Sequence, residues 1–423
     1  MSEIEKYGLI ENYNRLDESK TDFLPEEVWI WDETLRDGEQ TPGVFLTIDE
    51  KIELAKLMDE MGVAVIAAGF PAVSQSEKDT IKQISSENLG LSVAAPARAL
   101  RSDIDACLDC SVDEIPIFIA SSNLHLKYKL RMTKEEVMEA VSDSVSYAKD
   151  HGVVVDFITE DSSRTQIEFL IELHRAAIEA GVDKICVCDT VGFLRPLSMK
   201  YLMRRIREEV LKVRKVPLAV HCHDDFGLAT SNTLAAIEEG VTYPLTCING
   251  YGERAGNAPL EEVVMALEVL YGINTHIKTE KLYELSTLTE KYFTVPVPVH
   301  KAIVGENAFS HESGIHIHGE MEHHRAYEPI SPSSIGRRRK FLLGKFTGAH
   351  AIRHELELKG IEATDEEVTL IVKSIKESQE RLGKEDMRRA FNDVKRIMSE
   401  MHKGVTEDEL WKITKEITGK DIQ

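Results

Sequence analysis

Ten consecutive residues, Trp31-Asp32-Glu33-Thr34-Leu35-Arg36-Asp37-Gly38-Glu39-Gln40, put an Arg and four acids directly after a short apolar run. A strand holds side chains rigidly while the loop that follows it opens to solvent, so such a junction suits chemistry. Asp37 there can bind a metal, and Arg36 can hold an anionic substrate beside it. His221 and His223 form a second feature. Residues i and i+2 of a strand share a face, so the two imidazoles project together. Two His and one carboxylate make a facial metal site with open positions.

Three further segments carry polar groups of the right kind. Asn249-Gly250-Tyr251-Gly252-Glu253-Arg254-Ala255-Gly256-Asn257 is a Gly-rich loop ahead of a helix that starts near Pro259. It reads either as a backbone cradle for an anion or as a plain structural turn. Glu160 and Thr190 follow apolar runs, where an acid can act as a base or cap a helix, and a hydroxyl can bind a carboxylate. His311-Glu312-Ser313-Gly314-Ile315-His316-Ile317-His318 reads as a metal tract, as a lid carrying a general base, or as a solvated loop. Far along the chain, it could reach a second subunit.

The elements that must position these residues alternate. Short apolar runs at 28–31, 65–68, 91–95, 114–119, 153–158, 184–188, 218–221 and 245–248 read as buried parallel strands. Amphipathic segments at 48–61, 134–151, 166–180, 197–213 and 230–239 read as helices, several stopped by Gly. Thr133, with an acid three residues on, is an N-cap. Eight strands alternating with helices predict an α/β fold, a (β/α)8 TIM barrel. An open doubly wound sheet is the second choice, and no Gly-rich dinucleotide fingerprint follows the first strand. The expected organisation is an N-terminal extension over 1–27, a catalytic barrel over 28–275, a linker and lid over 276–350, and a helical region over 351–423. Within the linker and lid, 281–292 reads as a helix and 305–327 shows no period.

A formal net charge of −22 argues against nucleic acid and against an anionic membrane surface. No apolar run is long enough to span a bilayer, and the N-terminus lacks the pattern of a secretory signal. Cys107 and Cys110 make a lone C-x-x-C, better read as idle thiols than as a metal or redox motif. A cytoplasmic protein with reduced thiols is expected. Arg337-Arg338-Arg339-Lys340 is a basic island, read as a solvated turn or as a contact with phosphates of a large anionic cofactor.

The residues Asp32-x-Thr34-Leu35-Arg36-Asp37-Gly38-Glu39-Gln40, His221-x-His223, Asn249-Gly250-x-Gly252-Glu253-Arg254-x-Gly256-Asn257 and His311-x-Ser313-Gly314-Ile315-His316 occur in that order. Together they resemble the acetyl-CoA-dependent 2-alkylmalate synthases, the group of homocitrate, 2-isopropylmalate and citramalate synthases. The resemblance covers residues 28 to 348. It implies a divalent metal (Mg, Mn or Zn) held by Asp37, His221 and His223, with Asn257 completing or supporting the site. It implies that Arg36 polarises the 2-oxo group, that Gln40 and Thr190 also bind the 2-oxo acid, and that Asn249, Gly250, Gly252 and Glu253 bind acetyl-CoA. Glu160, His316 and Tyr327 are implicated in acid–base chemistry, the latter two reaching across a homodimer. The implied reaction is a Claisen-type condensation followed by thioester hydrolysis, with a 2-oxo acid and acetyl-CoA as small-molecule substrates of a homodimer.

Two departures from the pattern bear on substrate handling. Ile66-Ala67-Ala68-Gly69-Phe70-Pro71 has Ala67 where the family carries an acid, so Glu33, Glu39 or Glu160 must steady Arg36 or handling differs. Asp156 stands where some homocitrate synthases place an Arg for the distal carboxylate of 2-oxoglutarate. Arg98, His125, Lys127 and Lys129 are possible replacements. The reading is homocitrate synthase-type, with 2-isopropylmalate synthase close behind and citramalate synthase as a further alternative. A lyase of the hydroxymethylglutaryl-CoA type would need a reactive Cys in the Gly-rich loop, which instead has Glu253. Residues beyond 348 lack the pattern of a regulatory domain, which predicts weak or no feedback control.

Overall fold

The computed structural model describes residues 9–17, 21–381, 384–401 and 404–420. Positions 1–8 and 18–20 of the expected N-terminal extension lie outside the described residues, as do 421–423 at the far end.

All barrel strands are parallel. They are β1 (Trp31–Asp32), β2 (Val65–Ala67), β3 (Ser92–Ala94), β4 (Ala97–Arg98), β5 (Glu114–Ala120), β6 (Val154–Glu160), β7 (Lys184–Asp189), β8 (Leu218–Cys222) and β9 (Tyr243–Thr246). Trp31 of β1 pairs with Val65 of β2 on one side and Leu245 of β9 on the other. The ring continues from β9 back to β5 and closes where Ala94 of β3 meets Glu114 of β5. β3 and β4 both pair with β5 and act as one strand broken at Pro96, which has no N–H for a ladder. The result is a closed eight-stranded barrel ringed by helices.

Apolar residues alternate into the barrel. Trp31, Val65, Ala94, Ile158, Cys186, Cys188, Ala219 and Leu245 form its inner packing. At the N-terminal ends of the strands this filling turns ionic. Lys184 Nζ lies 2.7 Å from Glu114 Oε2 and 3.1 Å from Asp156 Oδ1, and over the rings of Trp31 and Tyr243. Burial and the neighbouring Glu114 push the Asp156 carboxyl well above the usual range, so Lys184 serves two acids that need not both be ionised.

The helices follow local signals. In α1 (Ile48–Met61), Thr47 and Glu50 form a capping box. The helix stops at Gly62, whose φ of 97° suits glycine and where a Cβ would strike the carbonyl oxygen of His276. Thr133 and Glu136 cap the next long helix but two in the same way. The core helices are α2 (Gln75–Ser86), α3 (Arg101–Leu108), α4 (Lys134–Asp150), α5 (Ile167–Ala180), α6 (Pro196–Val210), α7 (Ala229–Ile237), α8 (Leu260–Ala266) and α9 (Leu282–Phe293).

The chain divides into two compact units, one of residues 1–41 with 46–296 and one of 42–45 with 297–423. The second unit contains a two-stranded parallel ribbon, β10 (Ser310–His311) with β11 (Lys340–Phe341). It also holds α10 (Gly314–Glu322), α11 (Ala349–Leu358), α12 (Asp365–Arg381), α13 (Lys384–Met401) and α14 (Glu407–Thr418). The aperiodic reading of 305–327 is corrected here. α10 lies within it, and Ile317 and Glu320 are its buried residues, a face too narrow to show as a period. Among the described residues no helix is long and apolar enough to cross a membrane. All six cysteines are free and buried, and the Cys107 thiol donates to the Ala95 carbonyl.

Candidate active site

The C-terminal ends of the strands surround a cavity of about 330 Å³. Arg36, Asp37, Gln40, Glu160, Thr190, His221, His223 and Glu253 all line it. They come from the loops or ends of β1, β6, β7, β8 and β9, so barrel closure gathers residues more than 200 positions apart.

The metal-type cluster is the best-defined part. The Nε2 atoms of His221 and His223 lie 3.1 Å apart. Asp37 Oδ2 stands 3.5 Å from the first and 3.8 Å from the second. Nitrogens each bonded at about 2.1 Å to one ion take about this separation. The Nδ1 atoms of both histidines and Oδ1 of Asn257 are buried with no hydrogen-bond partner. Burial alone would raise the Asp37 carboxyl, but Arg36, His221 and His223 pull it well below the usual carboxylate range. Burial, with the neighbouring His221, pushes His223 down to about 3. An ionised carboxylate beside a neutral imidazole is the state a divalent cation needs. These residues fit a metal.

Asn257 stands behind this cluster, its Nδ2 donating to Asp37 Oδ1 at 3.2 Å and to the Tyr251 carbonyl at 3.1 Å. The Glu253 N–H reaches the same Asp37 oxygen at 3.3 Å. Gly252 makes this approach possible. With φ of 150°, it leaves space where a Cβ would collide with the Asn257 amide and sit 3.0 Å from Asp37 Oδ1. Gly250 turns the loop with φ of 73°. Asn249 faces inward instead of toward the cavity. Its amide donates to the Ser286 carbonyl and its carbonyl accepts from Ser286 Oγ, tying the loop to α9.

Arg36 does have an acidic partner. Its Nε donates to Glu33 Oε2 at 2.7 Å, and Nη2 lies 2.6 Å from the same oxygen. Nη1 reaches Asp37 Oδ2 at 3.2 Å. Glu33 thus takes the role left open by Ala67. The other two candidate acids are engaged elsewhere, Glu39 with the buried Lys51 at 2.6 Å and Glu160 with Lys129. Lys51 also donates to the Leu35 carbonyl and to Glu77, which bolts the first loop to the second.

Asp156 requires a correction. It is fully buried, does not line the cavity and is paired from below with Lys184. Of the proposed substitutes for a distal-carboxylate cation, only Lys129 lines the cavity, while Arg98 is held by Asp103. The inner wall is apolar, made by Phe70, Pro96, Phe118, Ile158 and Leu245. Ile158 sits two residues before Glu160 on an inward-facing register, a signal the strand alternation already contained.

Arg254, part of the Gly-rich loop motif, ties three rim loops. Held at φ of 59°, it clasps Asp225 with two bonds of 2.9 Å and donates to the Thr190 carbonyl at 2.6 Å. Thr190 Oγ1 accepts the Asp161 N–H at 2.8 Å. His316 and Tyr327 lie in the second unit, their rings stacked at 4.1 Å.

The chain is similar to known proteins over most of its length. Residues 27–289 match the family described as HMGL-like, and residues 303–383 match the one described as homocitrate synthase post-HMGL domain-like. A 2-isopropylmalate synthase of Methanocaldococcus jannaschii is 50% identical over 89% of this chain and 72% of its own. Homocitrate synthase AksA of Methanopyrus kandleri is 52% identical over 84% of this chain and 88% of its own. (R)-citramalate synthase CimA of M. jannaschii is 44% identical over 94% and 76%. A hydroxymethylglutaryl-CoA lyase from Pseudomonas aeruginosa matches in fold alone, with a TM-score of 0.58 at 21% identity over 67% of this chain and 97% of that one. The barrel, its strand-end ligand set and these matches agree: the chain belongs to the HMGL-like family, among the acetyl-CoA- and metal-dependent 2-alkylmalate synthases.

Proposed function

We propose that this enzyme condenses acetyl-CoA with a 2-oxo acid bearing a short apolar tail, as a 2-isopropylmalate or citramalate synthase would. One observation carries the choice: Phe70, Pro96, Phe118, Ile158 and Leu245 give the cavity an apolar lining that suits an uncharged distal group. A homocitrate synthase-type activity is the second reading. It rests on Lys129, a cavity-lining cation that would have to leave Glu160 to meet a distal carboxylate.

Asp37, His221 and His223 would hold the divalent ion, with Asn257 supporting them. Bound there, Mg²⁺, Mn²⁺ or Zn²⁺ supplies Lewis acidity to the 2-oxo carbonyl. Arg36, steadied by Glu33, donates toward the oxygen on which negative charge develops. Thr190 already accepts the Asp161 N–H, so its own proton is available for the substrate carboxylate, and Gln40 lines the same side. Glu160 removes a proton from the acetyl methyl group, and the resulting carbanion bonds to the carbonyl carbon. Water then cleaves the thioester, which gives the 2-alkylmalate and CoA thiol. The loop from Gly250 to Glu253 lies at the acetyl-CoA side of the rim. His316 and Tyr327, stacked on one another, are assigned to acid–base work, reaching the cavity of a second copy in a homodimer.

A panel of 2-oxo acids with acetyl-CoA and each metal, following free thiol, tests this reading. Highest kcat/KM with 2-oxoisovalerate or pyruvate is expected. A preference for 2-oxoglutarate would overturn the apolar choice, and no thiol release with any acid would overturn the synthase reading.

A further inference from the structure

We propose that Lys129, presented by a wide helical turn after β5, is the residue that positions the Glu160 carboxylate for proton transfer. The inference deepens the proposed function, because it rests on Glu160 being the base.

The segment after β5 is built for this contact. Ser122 Oγ accepts the His125 N–H and caps a short helical turn. The chain then widens into a π-turn over Leu126–Leu130 and ends at Arg131 in the left-handed region, φ 55°. Such wide turns are rare and recur at functional sites. Here Leu126 is buried and anchors the turn, while Lys129 swings over the cavity.

Strand register puts Glu160 beneath it. Glu160 pairs with Ala120, the last residue of β5. Its carbonyl accepts both the N–H and the Oγ of Ser121 at 3.0 Å, which pins its main chain. The side chain is then held by Lys129 Nζ, 2.6 Å from Oε1 and 2.7 Å from Oε2. His125 Nδ1 is 3.3 Å from Oε1. A carboxylate has about four lone-pair sites, so the ammonium leaves others free to accept a proton from substrate. Lys129 is half exposed, and a pair of that kind adds little to folding. Its place over the cavity serves the geometry of Glu160.

The test is a double-mutant cycle on the full chain, with kcat and KM read by thiol release and folding checked by circular dichroism. Glu160→Gln should lower kcat by about 100-fold or more. Lys129→Met should lower kcat roughly tenfold with both KM values little changed, and Lys129→Arg should restore most of it. In the Glu160→Gln background, Lys129→Met should cost nothing further. An unchanged kcat in Lys129→Met, or an equal loss in both backgrounds, would overturn the inference alone. A fully active Glu160→Gln would overturn the base reading and the inference with it.

Discussion

Each unit of this protein contains a cluster of histidine and carboxylates that could in principle hold an ion. At the barrel mouth they are Asp37, His221 and His223, and in the second unit His311, Glu320 and Glu328. The difference lies in where the nearest Arg goes. Arg36 gives Nε and Nη2 to Glu33 and only Nη1 to Asp37 Oδ2, at 3.2 Å, so Asp37 and the two imidazole Nε2 atoms still face one point. Arg339 sits inside the second cluster. Its Nε donates to Glu328 Oε1 at 2.8 Å, and its Nη2 lies 2.5 Å from Glu328 Oε2 and 3.2 Å from Glu320 Oε2. His311 Nε2 lies 3.2 Å from the same Glu328 Oε1, and the Tyr327 N–H donates to Glu320 Oε1 at 2.7 Å. The guanidinium already supplies the charge a metal would bring. Ligand types alone do not make a metal centre, because buried carboxylates need compensation and an Arg serves as well as an ion. The second cluster instead fixes Tyr327, and through it the ring stacked on His316.

The contrast can be broken most sharply at Asp37. Asp37→Ala should abolish divalent-metal binding in calorimetry and lower turnover by far more than the roughly 100-fold that supporting residues cost. Retained metal affinity would remove Asp37 from the site.

Arg339→Met probes the other side. It leaves two buried carboxylates uncompensated and should lower the unfolding free energy by about 3 kcal/mol in urea, toward the low end for a buried pair because the guanidinium is partly exposed. The same variant should bind Zn²⁺ more tightly than the parent in calorimetry. Unaltered stability and no metal response would show that Arg339 does not compensate the cluster.

The smallest effect is expected at Glu33. Glu33→Gln weakens the hold on Arg36 without touching a ligand, so kcat should fall about tenfold while metal affinity stays within a few-fold. A loss as deep as that of Asp37→Ala would make Glu33 part of the metal site itself.

Much of the barrel is legible in the sequence. β6 and β7 fall within a residue or two of the expected 153–158 and 184–188, because buried parallel strands read as unbroken apolar runs. The last strand was misplaced. It was expected at 245–248 and spans Tyr243–Thr246. The Ile248 N–H is taken by Thr34 Oγ1, a residue 214 positions away, and the chain turns off the ladder into a 3₁₀ turn there. No local pattern contains that bond. Asp156 was misjudged for a related reason: its alignment with a substrate-binding position said nothing of Lys184 beneath it.

The sequence by itself determined the alternation of strands and helices, the i, i+2 pairing of His221 and His223, and the Gly-rich loop that passes them. These follow from backbone periodicity and from residue type, both local. Tertiary structure decided everything that depends on who reaches a charge first. Lys51 claims Glu39 and Lys129 claims Glu160, which leaves Glu33 to steady Arg36. Lys184 pairs with Asp156, and Arg339 fills the second cluster. Charges pair across distances that only folding makes short, so the sequence supplied the groups and the closed barrel chose their partners.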